Sequence, residues 1–156
     1  MIRLVDALAD PAAARAAALD EFRRGGLVVL PTETVYGLAV LPSGPRAVDA
    51  MFRRKGRSDN RPVAVLVSDV DQARTVVEPG PAFELLVAAF WPGPLTVVAT
   101  RGVGFSARLG GDQASVGVGC PDHELVRALA AEVGPLAVTS ANRSGQPTKA
   151  EARSAA

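Results

Sequence analysis

Three stretches concentrate the residues able to do chemistry. Thr32-Glu33-Thr34-Val35-Tyr36 follows an apolar run at 27–31 and sets three hydroxyls and a carboxylate at one strand end. Thr139-Ser140-Ala141-Asn142 follows a second apolar run at 136–138 and offers small donors and acceptors, with Gly145 available for close backbone approach. Strand ends of this kind are where α/β proteins present ligands. A turn with a packed tyrosine and a turn with an Asn cap are the plainer readings. Against them, a buried hydroxyl without a partner costs about 1–3 kcal/mol, so a ligand or water is expected to satisfy the 32–36 cluster.

The third stretch holds Arg53, Arg54, Lys55, Arg57 and Arg61, five cations within nine positions. Cations at a helix C-terminus complement its dipole, which makes a solvated helix end one reading. The other is a phosphate clamp: Gly56 lets the chain turn close to a ligand, and extended geometry would aim Lys55 and Arg57 to one side.

Other catalytic signatures are missing. There is no HExxH, P-loop or nucleophile-elbow pattern, and Cys120 and His123 are the only residues of their types. A single cysteine excludes an internal disulfide and a cysteine metal cluster, and fits a reducing compartment. Cys120 is expected to be a small buried residue, and His123 beside Asp122 to serve at a helix start. An enzyme built this way works by positioning and charge stabilisation.

The elements that must place these residues are marked by proline and glycine. Asp10-Pro11 opens a helix that runs to Gly25-Gly26, and Ser43-Gly44-Pro45 opens one that ends at Lys55-Gly56. Strands are expected at 27–31, 62–67, 95–100, 115–118 and 136–139, and further helices at 69–76, 81–91 and from Asp122 to about 133. The stretch 31–38 reads as a loop, and the Gly-rich stretch 101–113 as a mobile one. Alternating helices and strands imply an α/β sheet, mixed or mostly parallel, covered by helices.

At 156 residues and 48% hydrophobic content the chain is expected to form one domain over 1–156. Net charge is +1, from 17 basic and 16 acidic residues, so attraction to phosphate must be local. No stretch approaches a membrane span or a signal peptide, which points to a cytoplasmic protein without a membrane partner.

Taken in order, PTETVYGL at 31–38, Lys55-Gly56-Arg57 with Pro62, FWPGPLTVV at 90–98, CPDH at 120–123 and TSANRSG at 139–145 resemble the YrdC/TsaC family of threonylcarbamoyl-AMP synthases. The resemblance covers almost the whole chain. It implies a twisted open α/β sheet with a basic concave cavity. The implied activity is that of a nucleotidyltransferase joining L-threonine, bicarbonate and ATP, with Mg²⁺, into threonylcarbamoyl-AMP and pyrophosphate for the tRNA-modification machinery. It further implies that Lys55, Arg57, Ser115, Ser140 and Asn142 hold the nucleotide, while Thr32, Thr34 and Tyr36 line the threonine and carbamate end. A non-catalytic YrdC-like nucleotide or double-stranded RNA binder is the other reading, with weak, salt-dependent RNA binding. Carbamoyl-transfer enzymes containing related domains offer a third. There are three departures from the family pattern, of which the lost arginine and the shortened C-terminal segment point to weaker catalysis, while Arg61 is placed to compensate in part for the remaining one. Gly119 stands where the family usually has arginine, KGRSDNRP lacks the usual proline directly after KGR, and the segment after Asn142 is short.

Overall fold

The computed structural model describes residues 2–56, 61–142 and 147. In chain order they form α1 (Pro11–Arg23), β1 (Val28–Leu30), β2 (Gly37–Val40), α2 (Pro45–Lys55), β3 (Ala64–Leu66), α3 (Val70–Arg74), α4 (Pro81–Phe90), β4 (Thr96–Thr100), β5 (Ser115–Gly119), α5 (Glu124–Val133) and β6 (Leu136–Ser140). Helices α1, α2 and α4 start where proline occupies the first turn, a place where its missing N–H costs nothing. Asp10 adds a side-chain cap on Ala13 N, and α2 stops at Gly56, whose φ of 59° is easy for a glycine.

The sheet has six strands in the order β1-β2-β6-β3-β5-β4. Only the β3–β5 pair is parallel, so the sheet is mixed rather than mostly parallel. The expected loop at 31–38 is in part strand. Gly37–Val40 turns back on Val28–Leu30 as an antiparallel partner and carries β6 on its other side. Its four residues are all buried, so the alternation that betrays a half-exposed strand is absent.

Directly opposed residues share a sheet face, and alternate residues along a strand return to it. Val40, Val65, Val97, Val118 and Ala137 face the larger core, packed with Val48 and Met51 of α2, Ala73 of α3, and Phe83 and Val87 of α4. Leu30, Ala39 and Leu136 face the other way, against Leu19 and Phe22 of α1 and Val126 and Leu129 of α5.

Two local expectations fail. Helix α5 has His123, not Asp122, at its N-cap, and the His123 side chain makes no capping bond; among the described residues His123 Nδ1 is buried without a partner. Its role as a cap is therefore not realised. The 101–113 stretch is fastened rather than loose. Leu109 is buried in the larger core, its carbonyl accepts Val63 N at 2.9 Å, and Arg101 Nη1 donates to Ala107 O at 2.5 Å. A stretch without periodicity can still be pinned by one apolar anchor.

Candidate functional site

Among the described residues, the second sheet face is only partly covered. Helices α1 and α5 close the end around Ala39 and Leu136; beyond them Gly37, Ser140, Val138, Ala64, Leu66, Gly119 and Thr96 follow one another across the strands on the same face. These residues floor a cleft of about 300 Å³. Its walls are Thr32–Val35 on one side, Gly93–Leu95 on another, and Cys120-Pro121 where β5 ends.

Small residues create this space. Along Val116-Gly117-Val118-Gly119 the two glycines fall on the open face and the two valines on the packed one. The Trp91–Leu95 turn is closed by the Trp91 indole N–H donating to Leu95 O at 2.8 Å. It is joined to β5 by Gly93 N donating to Cys120 O at 2.9 Å. Burial pushes the Cys120 thiol above its ordinary range, and the thiol donates to Ser68 O. The Cys120 side chain packs in the larger core, away from the cleft face, as a small protonated group and not as a nucleophile.

Of the expected site residues, Thr32, Thr34 and Ser140 reach the cleft. The Thr32 hydroxyl is already satisfied: it donates to Val35 O at 2.6 Å and accepts from Thr34 N and Val35 N, both at 3.2 Å. The turn itself therefore satisfies this hydroxyl, which does not await a ligand as expected. Tyr36 does not line the cleft; its ring packs against the larger core, and its carbonyl accepts Ala141 N at 2.8 Å.

Ser115 lies at the opposite end of β5 from Gly119 and away from the cleft, where its hydroxyl donates to Asp112 Oδ2 at 3.1 Å. Asp112 is held below the usual carboxylate range, first by the Ala114 N–H and then by Ser115. The structure thus separates Ser115 from the other candidates.

The cations behave differently from one another. Arg53 and Arg54 are exposed at the end of α2, the solvated arrangement that complements a helix dipole. Lys55 is 6% exposed and points inward to the end of β6, donating to Ser140 O at 2.6 Å, to Asn142 O and to Asn142 Oδ1. It is the last residue of α2 and Gly56 is left-handed, so the extended Lys55-x-Arg57 geometry is not adopted at its first two residues. Arg57, Arg143 and the Ser144-Gly145 pair lie outside the described residues. Among the described lining residues, Glu33 is the one charged side chain.

A profile of the Sua5/YciO/YrdC family, described as telomere recombination, matches residues 20–156. The chain belongs to this family. The threonylcarbamoyl-AMP synthase of Bacillus subtilis (strain 168) is 40% identical over 147 residues, 91% of this chain and 42% of that protein. The human threonylcarbamoyl-AMP synthase is 41% identical over 134 residues, 83% of this chain and 47% of that protein. P. abyssi Sua5, solved in complex with L-threonine, superposes with a TM-score of 0.83 at 34% identity over 90% of this chain and 42% of that one. This Sua5/YciO/YrdC chain therefore spans less than half the length of these three relatives.

Sequence reasoning missed most of the floor. Gly37, Ala64, Thr96 and Val138 carry no chemistry of their own and matter because of what they leave empty. The Gly-x-Gly pattern at 117–119 was the available signal, since alternate glycines on a strand strip one face of side chains. No described helix is long and apolar enough to cross a membrane.

Proposed function

We propose that this domain forms threonylcarbamoyl-AMP and pyrophosphate from L-threonine, bicarbonate and MgATP, a nucleotidyl transfer that supplies the activated group for modifying tRNA. The observation that carries the reading is convergence. Residues from the 31–38, 90–98, 120–123 and 139–145 segments, far apart in sequence, meet around one cleft.

In this reading the threonine amine and bicarbonate first give the N-carboxylate with loss of water. A carboxylate oxygen of that carbamate then attacks the α-phosphorus of ATP, and pyrophosphate leaves with its Mg²⁺. Thr34 and Ser140 offer hydroxyls to the amino acid and nucleotide, and the apolar floor of Ala64, Leu66 and Val138 receives the threonine methyl group. Mg²⁺ arrives on the phosphates as part of the substrate, because it keeps most of its shell as water and phosphate oxygen. Among the described residues, no group of three or more His, Cys, Asp or Glu is placed to hold a metal. Charge stabilisation of the leaving pyrophosphate falls to the cations that follow α2, Arg57 and Arg61.

The test is pyrophosphate release from MgATP by the purified chain, with threonine and bicarbonate omitted in turn. Release that requires both is the expected result. Release no faster than in buffer, or unchanged when threonine is left out, overturns the reading.

A further inference from the structure

We infer that Lys55 is a positioning residue, acting on nucleotide through the end of β6 and not through a phosphate; this rests on the nucleotide-binding reading above. An ammonium has three N–H donors and no acceptor. Among the described residues, Ser140 O at 2.6 Å, Asn142 O, and Asn142 Oδ1 at 3.3 Å accept from Lys55 Nζ. Two are backbone carbonyls more than eighty positions away in sequence, so the contact joins the C-terminus of α2 to the C-terminus of β6.

Ser140 belongs to the cleft, and Lys55 does not. The backbone around Ser140 is held from the other side as well, since Ala141 N donates to Tyr36 O at 2.8 Å and Ser140 pairs with Gly37. Lys55 thus fixes a segment whose polar groups face the ligand, while its own charge is directed at carbonyls behind that segment. A strongly hydrated point charge is buried only where such acceptors replace its water. Removing it leaves those carbonyls to find water and frees the segment to shift.

The experiment compares binding of adenosine, which has no phosphate, with binding of MgATP to the wild-type chain, Lys55→Met and Lys55→Gln, by calorimetry on protein whose circular dichroism shows it folded. A positioning residue gives Lys55→Met the same loss for both ligands, about tenfold or more, in keeping with hydrogen bonds to a charged group. Lys55→Gln, which keeps two N–H donors without charge, recovers a large part of both affinities. A phosphate clamp gives the opposite pattern. MgATP weakens in both variants while adenosine is unchanged, and that result overturns the inference, as does unaltered binding of both ligands. If Lys55→Met does not fold, the ratio of the two losses in Lys55→Gln decides the matter alone. A wild-type chain that binds neither ligand overturns the nucleotide reading itself, an outcome distinct from a lopsided loss in the variants.

Discussion

At Gly37 a Cβ built on the backbone would lie 2.7 Å from Val138 Cγ1, closer than carbon atoms approach in proteins. Neither partner can yield easily. Gly37 is paired to both Leu30 and Ser140, and Val138 sits mid-strand between β2 and β3. At Gly119 the same construction meets Leu66 Cδ2 and Thr96 Oγ1 at 3.4 Å, ordinary contact. The two glycines look alike in the sequence, yet one is required by packing and the other only keeps the cleft open. Gly37→Ala is expected to lower stability by about 1–3 kcal/mol through overpacking. Gly119→Ala should stay within about 0.5 kcal/mol of the parent. Urea unfolding with an unchanged m-value is the check, and equal losses at the two sites would contradict this account of the floor.

Among the elements, α3 shows how little a short helix owes to itself. Five residues cannot sustain a helix in water, and α3 is held by bonds at its start. Asp69 Oδ1 accepts Gln72 N at 2.7 Å, while the Gln72 side chain accepts Ser68 N and donates to Ala130 O in α5. The bond from Gln72 N, then that from the Ser68 hydroxyl, holds the Asp69 carboxyl below its usual range. Asp69→Ala should therefore cost about 1 kcal/mol at neutral pH, the ordinary worth of an N-cap. A depressed folded pKa contributes stability above the unfolded value and loses it as pH falls through the folded one. The gap between parent and variant should thus be constant at neutral pH and close as pH drops below about 4. A gap that widens in acid would sink the assignment.

The same elements show what a sequence can reveal. The starts of α1 to α4 were legible because proline and the Asp caps act within one turn, and the strand ends carrying Thr32, Thr34 and Ser140 were legible because polarity changes abruptly there. Strand β2 was hidden because burial of all four residues removes its alternation. The partners of Lys55 were hidden because only the folded sheet brings the ends of α2 and β6 together.

For the molecule as a whole, the question is whether the two faces of the sheet stand or fall together. Phe22 is 1% exposed between α1 and α5, and Cys120, the only thiol, is buried in the core on the other face. Between them lies the one six-stranded sheet that both cores share. Arg15 and Arg23 also reach from α1 to Glu132 on α5, at 2.7 and 2.8 Å, but these pairs are solvent-screened and worth about 0–1 kcal/mol. Phe22→Ala should cost about 3–5 kcal/mol. Burial pushes the Cys120 thiol up, so its thiolate is scarce in the folded state and labelling must await an opening. If opening means global unfolding, the labelling rate of Cys120 by a thiol reagent at fixed pH follows the population of the open form. Phe22→Ala then accelerates it on the order of a hundredfold or more, since about 1.4 kcal/mol is a factor of ten. Glu132→Gln leaves it within a few-fold. A Phe22→Ala protein that unfolds more readily while its thiol reacts at the parent's rate would show that the α1–α5 layer detaches alone, leaving the cleft wall intact.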